Sequence, residues 1–472
     1  MKGPTADMGE PLEPYVPDPT LRAALEDFGQ QCDREISVPP QTRLDRGYGG
    51  GTLFVARLTE PAPPGREPSR KVFVKVLPAR SRHREVRGPQ WSRATARATV
   101  GDFARQHLAE QIFPPIDLRD GRRLMFQEPT SDFQEPTDDE ARVRGLDELD
   151  GDDLLAAFRA VLEAVLHEWN KVAPTAGPPT RQTTLGPYLE RELRAAGAWE
   201  KIHHALSIFG FHSGAESLLI DSRPLPNPLG PVDPASPHHR QPVDFHAGFA
   251  HGDLHGGNVL VPCGADGRSY PERFSLVGVS AVDADAPLTR DVAALLLATV
   301  LRYVPGLTRD ESEALIDYLV HPQRGRPGAL PGPVAELVRI ADEVGTAYAG
   351  PGGTATWRRQ ARVSLIAQAL TCTTFEDLRP DRGLWCLRLA ARAMQAHLDE
   401  NPIGYAASAA PATAVGRWPV SPPNAVAPAV PAARTRSPGA SPRQVLLWCV
   451  LAAALLALAG MALWATAALG VP

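Results

Sequence analysis

The chain has 472 residues, too long for one small core and enough for two or three folding units. A hydrophobic share of 43% lets most of it fold. A net charge of −5 argues against a general nucleic-acid binder.

Residues 1–19 are Pro-rich and lack an apolar signal core, so no secretion signal is expected. Leu21, Ala24, Leu25 and Phe28 repeat with a helical period, which predicts a short helix over 21–36 capping the first lobe. Glycines then lead into an apolar run, from Leu44 through Gly47, Gly49, Gly50 and Gly51 to Ala56. Such a turn brings backbone N–H groups close to a phosphate, and it also suits a plain hairpin. A strand over 53–58 and a second over 71–77 follow. In the second, Val72, Val74 and Val76 share one face, while Phe73, Lys75 and Leu77 share the other. A lysine between two large apolar neighbours needs an anionic partner, unless it snorkels from an edge strand. The chain has only five lysines, Lys2, Lys71, Lys75, Lys171 and Lys201, among its 49 basic residues. That bias, with abundant Ala, Gly and Pro, points to a GC-rich bacterial genome.

Residues 82–110 read as helical with a break at Gly88-Pro89. Glu85 is the first candidate to pair with Lys75, and Glu110 is the other. A hairpin is expected across Asp120-Gly121, followed by a connection at 125–128. The acidic stretch 131–153 reads as a solvated linker that could also attract a cationic substrate. Helices are expected over 154–172 and 185–206, then a Pro-rich loop over 224–242. His238, His239, His246 and His251 lack acidic or thiol partners at metal-ligand spacing. The cysteines Cys32, Cys263, Cys372, Cys386 and Cys449 show no C-x-x-C spacing, so free thiols are expected.

The most informative stretch is His251-Gly252-Asp253-Leu254-His255-Gly256-Gly257-Asn258, which runs directly into the apolar Val259-Leu260-Val261. Phosphoryl transfer needs one group to orient the attacking hydroxyl and another to hold Mg²⁺ against the phosphates. An Asp and an Asn five apart across a glycine turn can supply both. The pattern His-Gly-Asp-Leu-His-x-x-Asn resembles the catalytic loop of the aminoglycoside phosphotransferase-like branch of the protein-kinase fold. The resemblance spans about residues 43–400. It implies an α+β, bilobal protein-kinase-like fold with a small β-rich N-lobe (43–129) and a mostly helical C-lobe (130–400), behind an N-terminal extension (1–42). It further implies that ATP and Mg²⁺ are the cofactors. Gly47, Gly49 and Gly50 would cover the nucleotide, and Lys75, paired with Glu85, would meet its phosphates. Asp253 would orient the hydroxyl of an unidentified phosphate acceptor, and Asn258 would hold the metal.

One departure bears on catalysis. The family's return strand ends in a second metal-binding Asp. Counting back from Asp291, which resembles the family's Asp-Leu-Ala helix start, places Gly278 there (291 − 278 = 13). Asp283 and Asp285 could substitute only if their loop folds back. Asp291 itself reads as structural, satisfying N–H groups at a helix start. The alternative to an active phosphotransferase is therefore a catalytically impaired binding or signalling module.

Helices are expected over 292–304, 311–319, 333–349, 355–371 and 381–398. Residues 401–442 are Pro-, Ala- and Ser-rich and read as a tether. The 25 residues from Val445 to Leu469 carry no charge and no Pro. At about 1.5 Å per residue they reach roughly 37 Å, enough to cross a bilayer core. Trp448 and Trp464 lie near its ends, and Arg434, Arg436 and Arg443 precede it. This predicts a transmembrane tail over 443–472: single-pass in the cell membrane, with the kinase-like part in the cytoplasm.

Overall fold

The computed structural model of the chain describes residues 12, 16–38, 43–44, 52–60, 69–77, 101–129, 142–172, 177–264, 266–375 and 380–402. All of them belong to one compact unit, Met1–Thr413. The unit is mixed α/β, with an antiparallel sheet in its N-terminal region and a helical C-terminal region. Gly47, Gly49, Gly50 and Glu85, the linker 403–442 and the apolar run 445–469 lie outside the described residues. No described helix is long and apolar enough to cross a membrane.

Helix α1 (Pro19–Cys32) starts where the Asp18 carboxylate accepts the N–H groups of Thr20 and Leu21, at 3.0 and 3.2 Å. Proline at its first position is suited to a site with no N–H to satisfy. The helix ends earlier than its periodicity predicts. Asp33 turns left-handed (φ 51°), and Ile36 joins β1 (Glu35–Ser37) opposite Leu58. The sheet runs β1, β3 (Thr52–Thr59), β4 (Ser69–Leu77), β7 (Arg123–Glu128), β5 (Glu110–Gln111). β2 (Arg43–Leu44) adds to β3, and β6 (Ile116–Asp117) pairs with β7 in the expected hairpin. Glu110, expected to be helical, therefore lies in a strand.

Strict alternation gives this sheet two different faces. Phe54, Ala56, Leu58, Val72, Val74 and Val76 pack behind it with Leu21, Leu25 and Phe28 of α1. Burying each of those large α1 side chains contributes about 1.5–3 kcal/mol. On the front, Leu53, Val55 and Phe73 meet Val143, Leu260 and Val277, which come from the other region of the chain.

The helical region is built on α2 (Gly151–Glu163), α3 (Leu185–Ala195), α4 (Trp199–Ile208), α5 (Thr289–Val300), α6 (Arg309–Val320), α7 (Gly332–Cys372) and α8 (Pro380–Glu400). The single helix expected over 185–206 is two, because Gly197 turns left-handed (φ 68°) between α3 and α4. Gly350 (φ 70°, ψ 173°) breaks α7 into the two expected segments. Part of the expected acidic linker is structured. β8 (Arg142–Gly145) pairs with β13 (Val259–Cys263), which also pairs with β14 (Ser275–Leu276). A third sheet places β12 (Pro242–Ala250) between β9 (Thr180–Thr184) and β15 (Asp283–Pro287). The described cysteines Cys32, Cys263, Cys372 and Cys386 are free thiols.

Candidate functional site

Strand β12 ends at Ala250, and the eight residues 251–258 turn back from it into β13. This loop is fixed from both sides. From below, the Asp291 carboxylate accepts the N–H of His251 (2.5 Å) and of Gly252 (3.0 Å). Asp291 stands in the first turn of α5, where the helix dipole favours negative charge. Burial pushes its carboxyl up to about 6, against the opposing pull of those two N–H donors. Its place at a helix start predicts that Asp291 satisfies N–H groups of its own helix. The Asp291 carboxylate accepts instead from the loop.

From the side, the His251 ring donates through Nε2 to the Val277 carbonyl (3.0 Å), and its Nδ1 faces the Asp253 N–H at 3.4 Å. A carbonyl only accepts, so the proton sits on Nε2. Gly252 has φ 82°, and a Cβ there would come within 2.1 Å of the Ala281 carbonyl oxygen. Only glycine fits that place.

The two polar residues singled out from the sequence meet here. The Asn258 side chain is buried and donates through Nδ2 to the Asp253 carbonyl (2.8 Å) and to Asp253 Oδ2 (3.3 Å). The Asp253 side chain is 59% exposed, open to the space in front of the loop. His255 accepts the Gly257 N–H at Nδ1 (3.2 Å), and its Nε2 lies 4.0 Å from Asp253 Oδ2.

Lys75 shares this space. It pairs with Leu53 on β3 and Met125 on β7, so it stands on the front face beside Phe73. That is the face that packs on Leu260 and Val277, which flank the loop on β13 and beyond β14. Burial holds His251 and His255 below the ordinary imidazole range, and the Lys75 ammonium acts on both in the same direction. Lys75 thus lies on the sheet face that packs toward the loop bearing Asp253 and Asn258.

The position expected to carry a second metal ligand is a glycine with a specific neighbour. Gly278 has φ 77°, and a Cβ built on it would lie 3.0 Å from Asn258 Oδ1 and 3.2 Å from its Cγ. A side chain at 278 would come up against the Asn258 carboxamide. The acids that could substitute are committed elsewhere. Asp283 pairs with Arg191 (3.1 Å) and Arg290 (3.5 Å), and Asp285 with Arg181 (3.3 Å). Their segment does not fold back on Asn258; it is strand β15, laid on β12. Mg²⁺ is ordinarily bound through one or two carboxylates plus substrate phosphates. Among the described residues no group of three or more His, Cys, Asp or Glu side chains is placed to hold a metal. The described residues do not fit the expected Mg²⁺ site.

Two features escaped the sequence reading. Arg290 and Glu192 form a buried bidentate pair, with both contacts at 2.7 Å. Asp147, counted with the acidic linker, packs against Gly256 at the turn of the loop.

Comparison with protein-family models and with curated proteins gives no match. Among solved structures, an ethanolamine kinase of Plasmodium vivax aligns with a TM-score of 0.34 at 8% identity, over 78% of this chain and 83% of that one. A glucosamine kinase aligns with a TM-score of 0.28 at 13% identity, over 79% and 78%. A glucosamine kinase in complex with glucosamine, ADP and inorganic phosphate aligns with a TM-score of 0.27 at 14% identity, over 77% and 89%. Similarity this loose adds nothing to the geometry of the cleft.

Proposed function

We propose that the chain binds ATP in the cleft between the front of the N-terminal sheet and the 251–258 loop, as a phosphotransferase-like protein of bilobal, kinase-like build. What supports this reading is the front-face position of Lys75, on the side of the sheet that packs against Leu260 and Val277, which flank the loop bearing the hydrogen-bonded Asp253 and Asn258. Lys75 supplies a fixed cation for the phosphates. The exposed carboxylate of Asp253 orients an acceptor hydroxyl and takes its proton. The clamped loop presents these groups without reorganisation when the ligand arrives. The acceptor is a hydroxyl compound whose identity the cleft does not specify. A membrane tether through the C-terminal apolar run belongs to the same reading.

Thermal unfolding with and without ATP tests it. A ligand at 100 times its Kd stabilises by about 2.7 kcal/mol, so wild type shows a clear rise in Tm. Lys75→Ala abolishes the rise. A full rise in Lys75→Ala would overturn the reading.

Gly278 favours a second reading, a nucleotide-binding platform with little turnover. Charge neutralisation at the phosphates is the major contribution in phosphoryl transfer, and this cleft lacks one of the usual partners. Phosphate release separates the two. A working enzyme loses about 10²- to 10⁴-fold in rate with Asp253→Asn. A platform shows no release to lose.

A further inference from the structure

We infer that the cleft holds its nucleotide without a divalent cation, and that Gly278 is the reason. The inference rests on the nucleotide half of the proposed function and goes beyond it.

The carboxylates described around the loop are those of Asp291, Asp283, Asp285, Asp147 and Asp253. Asp291 is buried, with its two oxygens taken by the N–H groups of His251 and Gly252. Turning either oxygen toward a metal would strand a buried donor. Asp283 and Asp285 are held by Arg191, Arg290 and Arg181 on strand β15. Asp147 faces a separate cavity of about 160 Å³, lined also by Gly256, Ala298, Thr299 and Arg302 but not by Asn258. Asp253 remains. One of its oxygens already takes the Asn258 carboxamide, and its open side faces the place of the acceptor.

What stands beside position 278 is thus the neutral Oδ1 of Asn258. The position that would complete a metal site beside it bears no side chain. A neutral oxygen alone is a poor holder for Mg²⁺, which surrenders its water reluctantly. The triphosphate's charge is met instead by a fixed ammonium. Lys75 stands on the facing sheet, close enough for its charge to be felt at both loop histidines.

The test is equilibrium binding of ATP to the full-length protein by calorimetry, once with excess MgCl₂ and once with excess EDTA. Gly278→Asp and Gly278→Asn are measured beside wild type. Asn and Asp both tolerate φ above zero, so the pair separates charge from backbone strain. Wild type is expected to bind with affinities within about threefold in the two conditions. Gly278→Asp is expected to gain about tenfold or more from Mg²⁺, and Gly278→Asn to stay indifferent. A wild-type affinity that falls about tenfold on chelation overturns the inference and leaves nucleotide binding intact. Wild-type indifference with no gain in a folded Gly278→Asp overturns the assignment of position 278. Absence of binding in both conditions overturns the proposed function as well. If Gly278→Asp fails to fold, the wild-type comparison still decides.

Discussion

Asp291 and His397 are buried titratable groups that pull the stability curve in opposite directions. The Asp291 carboxyl is raised by burial to about 6. The folded state therefore holds that proton more tightly than the unfolded chain. Its contribution is complete below about pH 4 and is lost as pH rises through 6. His397 lies the other way. Burial first, and the Arg362 guanidinium second, lower it to about 4. The unfolded chain takes up that proton first, so the contribution of His397 is complete above about pH 6.5 and is lost as pH falls toward 4. Each shift of two units or more corresponds to about 3 kcal/mol. Between pH 4 and 6 the two nearly cancel in wild type. Removing one exposes the other. Urea midpoints of His397→Leu should fall as pH rises from 4 to 6, and those of Asp291→Asn should climb. Unchanged slopes in both variants would show that neither group titrates in this window.

The elements that build the cleft are tied together by contacts far apart in sequence. Helix α3 reaches α5 through the Glu192–Arg290 pair, whose side chains are 1% and 3% exposed. Arg290 precedes Asp291, so this pair also steadies the base of the loop. Arg290→Met should destabilise the protein by about 3–5 kcal/mol, because it leaves a buried carboxylate without its partner. The double change Arg290→Met with Glu192→Leu should recover most of that loss. Guanidinium unfolding of the two variants gives the comparison; a cost in the single variant below about 1 kcal/mol would mean that the pair holds nothing. The same distance explains what the sequence could and could not reveal. Asp253 and Asn258 were legible because their chemistry lies within six consecutive residues. Lys75 was legible because a strand sorts its residues into two faces by simple alternation. The Glu192–Arg290 pair spans 98 positions, and no local pattern announces it. Asp291 showed as a carboxylate at a helix start, but a sequence does not say whose N–H groups it will accept. Helix periodicity carried straight across Gly197, where one left-handed residue separates two helices. Residues 283–287 read as a loop because nothing nearby marks the pairing with β12.

At the scale of the whole molecule, the proposed nucleotide cleft belongs to one compact unit, followed by a Pro-rich stretch and an apolar run. The proposed anchoring is tested by removing residues 443–472. The shortened protein should move from the membrane pellet to the supernatant, and one that still pellets with membranes would dismiss the tail as the anchor. Within the unit, the two-faced sheet has a further consequence. Val72, Val74 and Val76 are committed to helix α1, so strand β4 cannot slide by one position. Such a slip would drive an ammonium into oil and turn valines toward the cleft. The seat of Lys75 is thus guaranteed by grease on the far side of the sheet, and under the proposed function an arriving phosphate would find its counter-ion already in place.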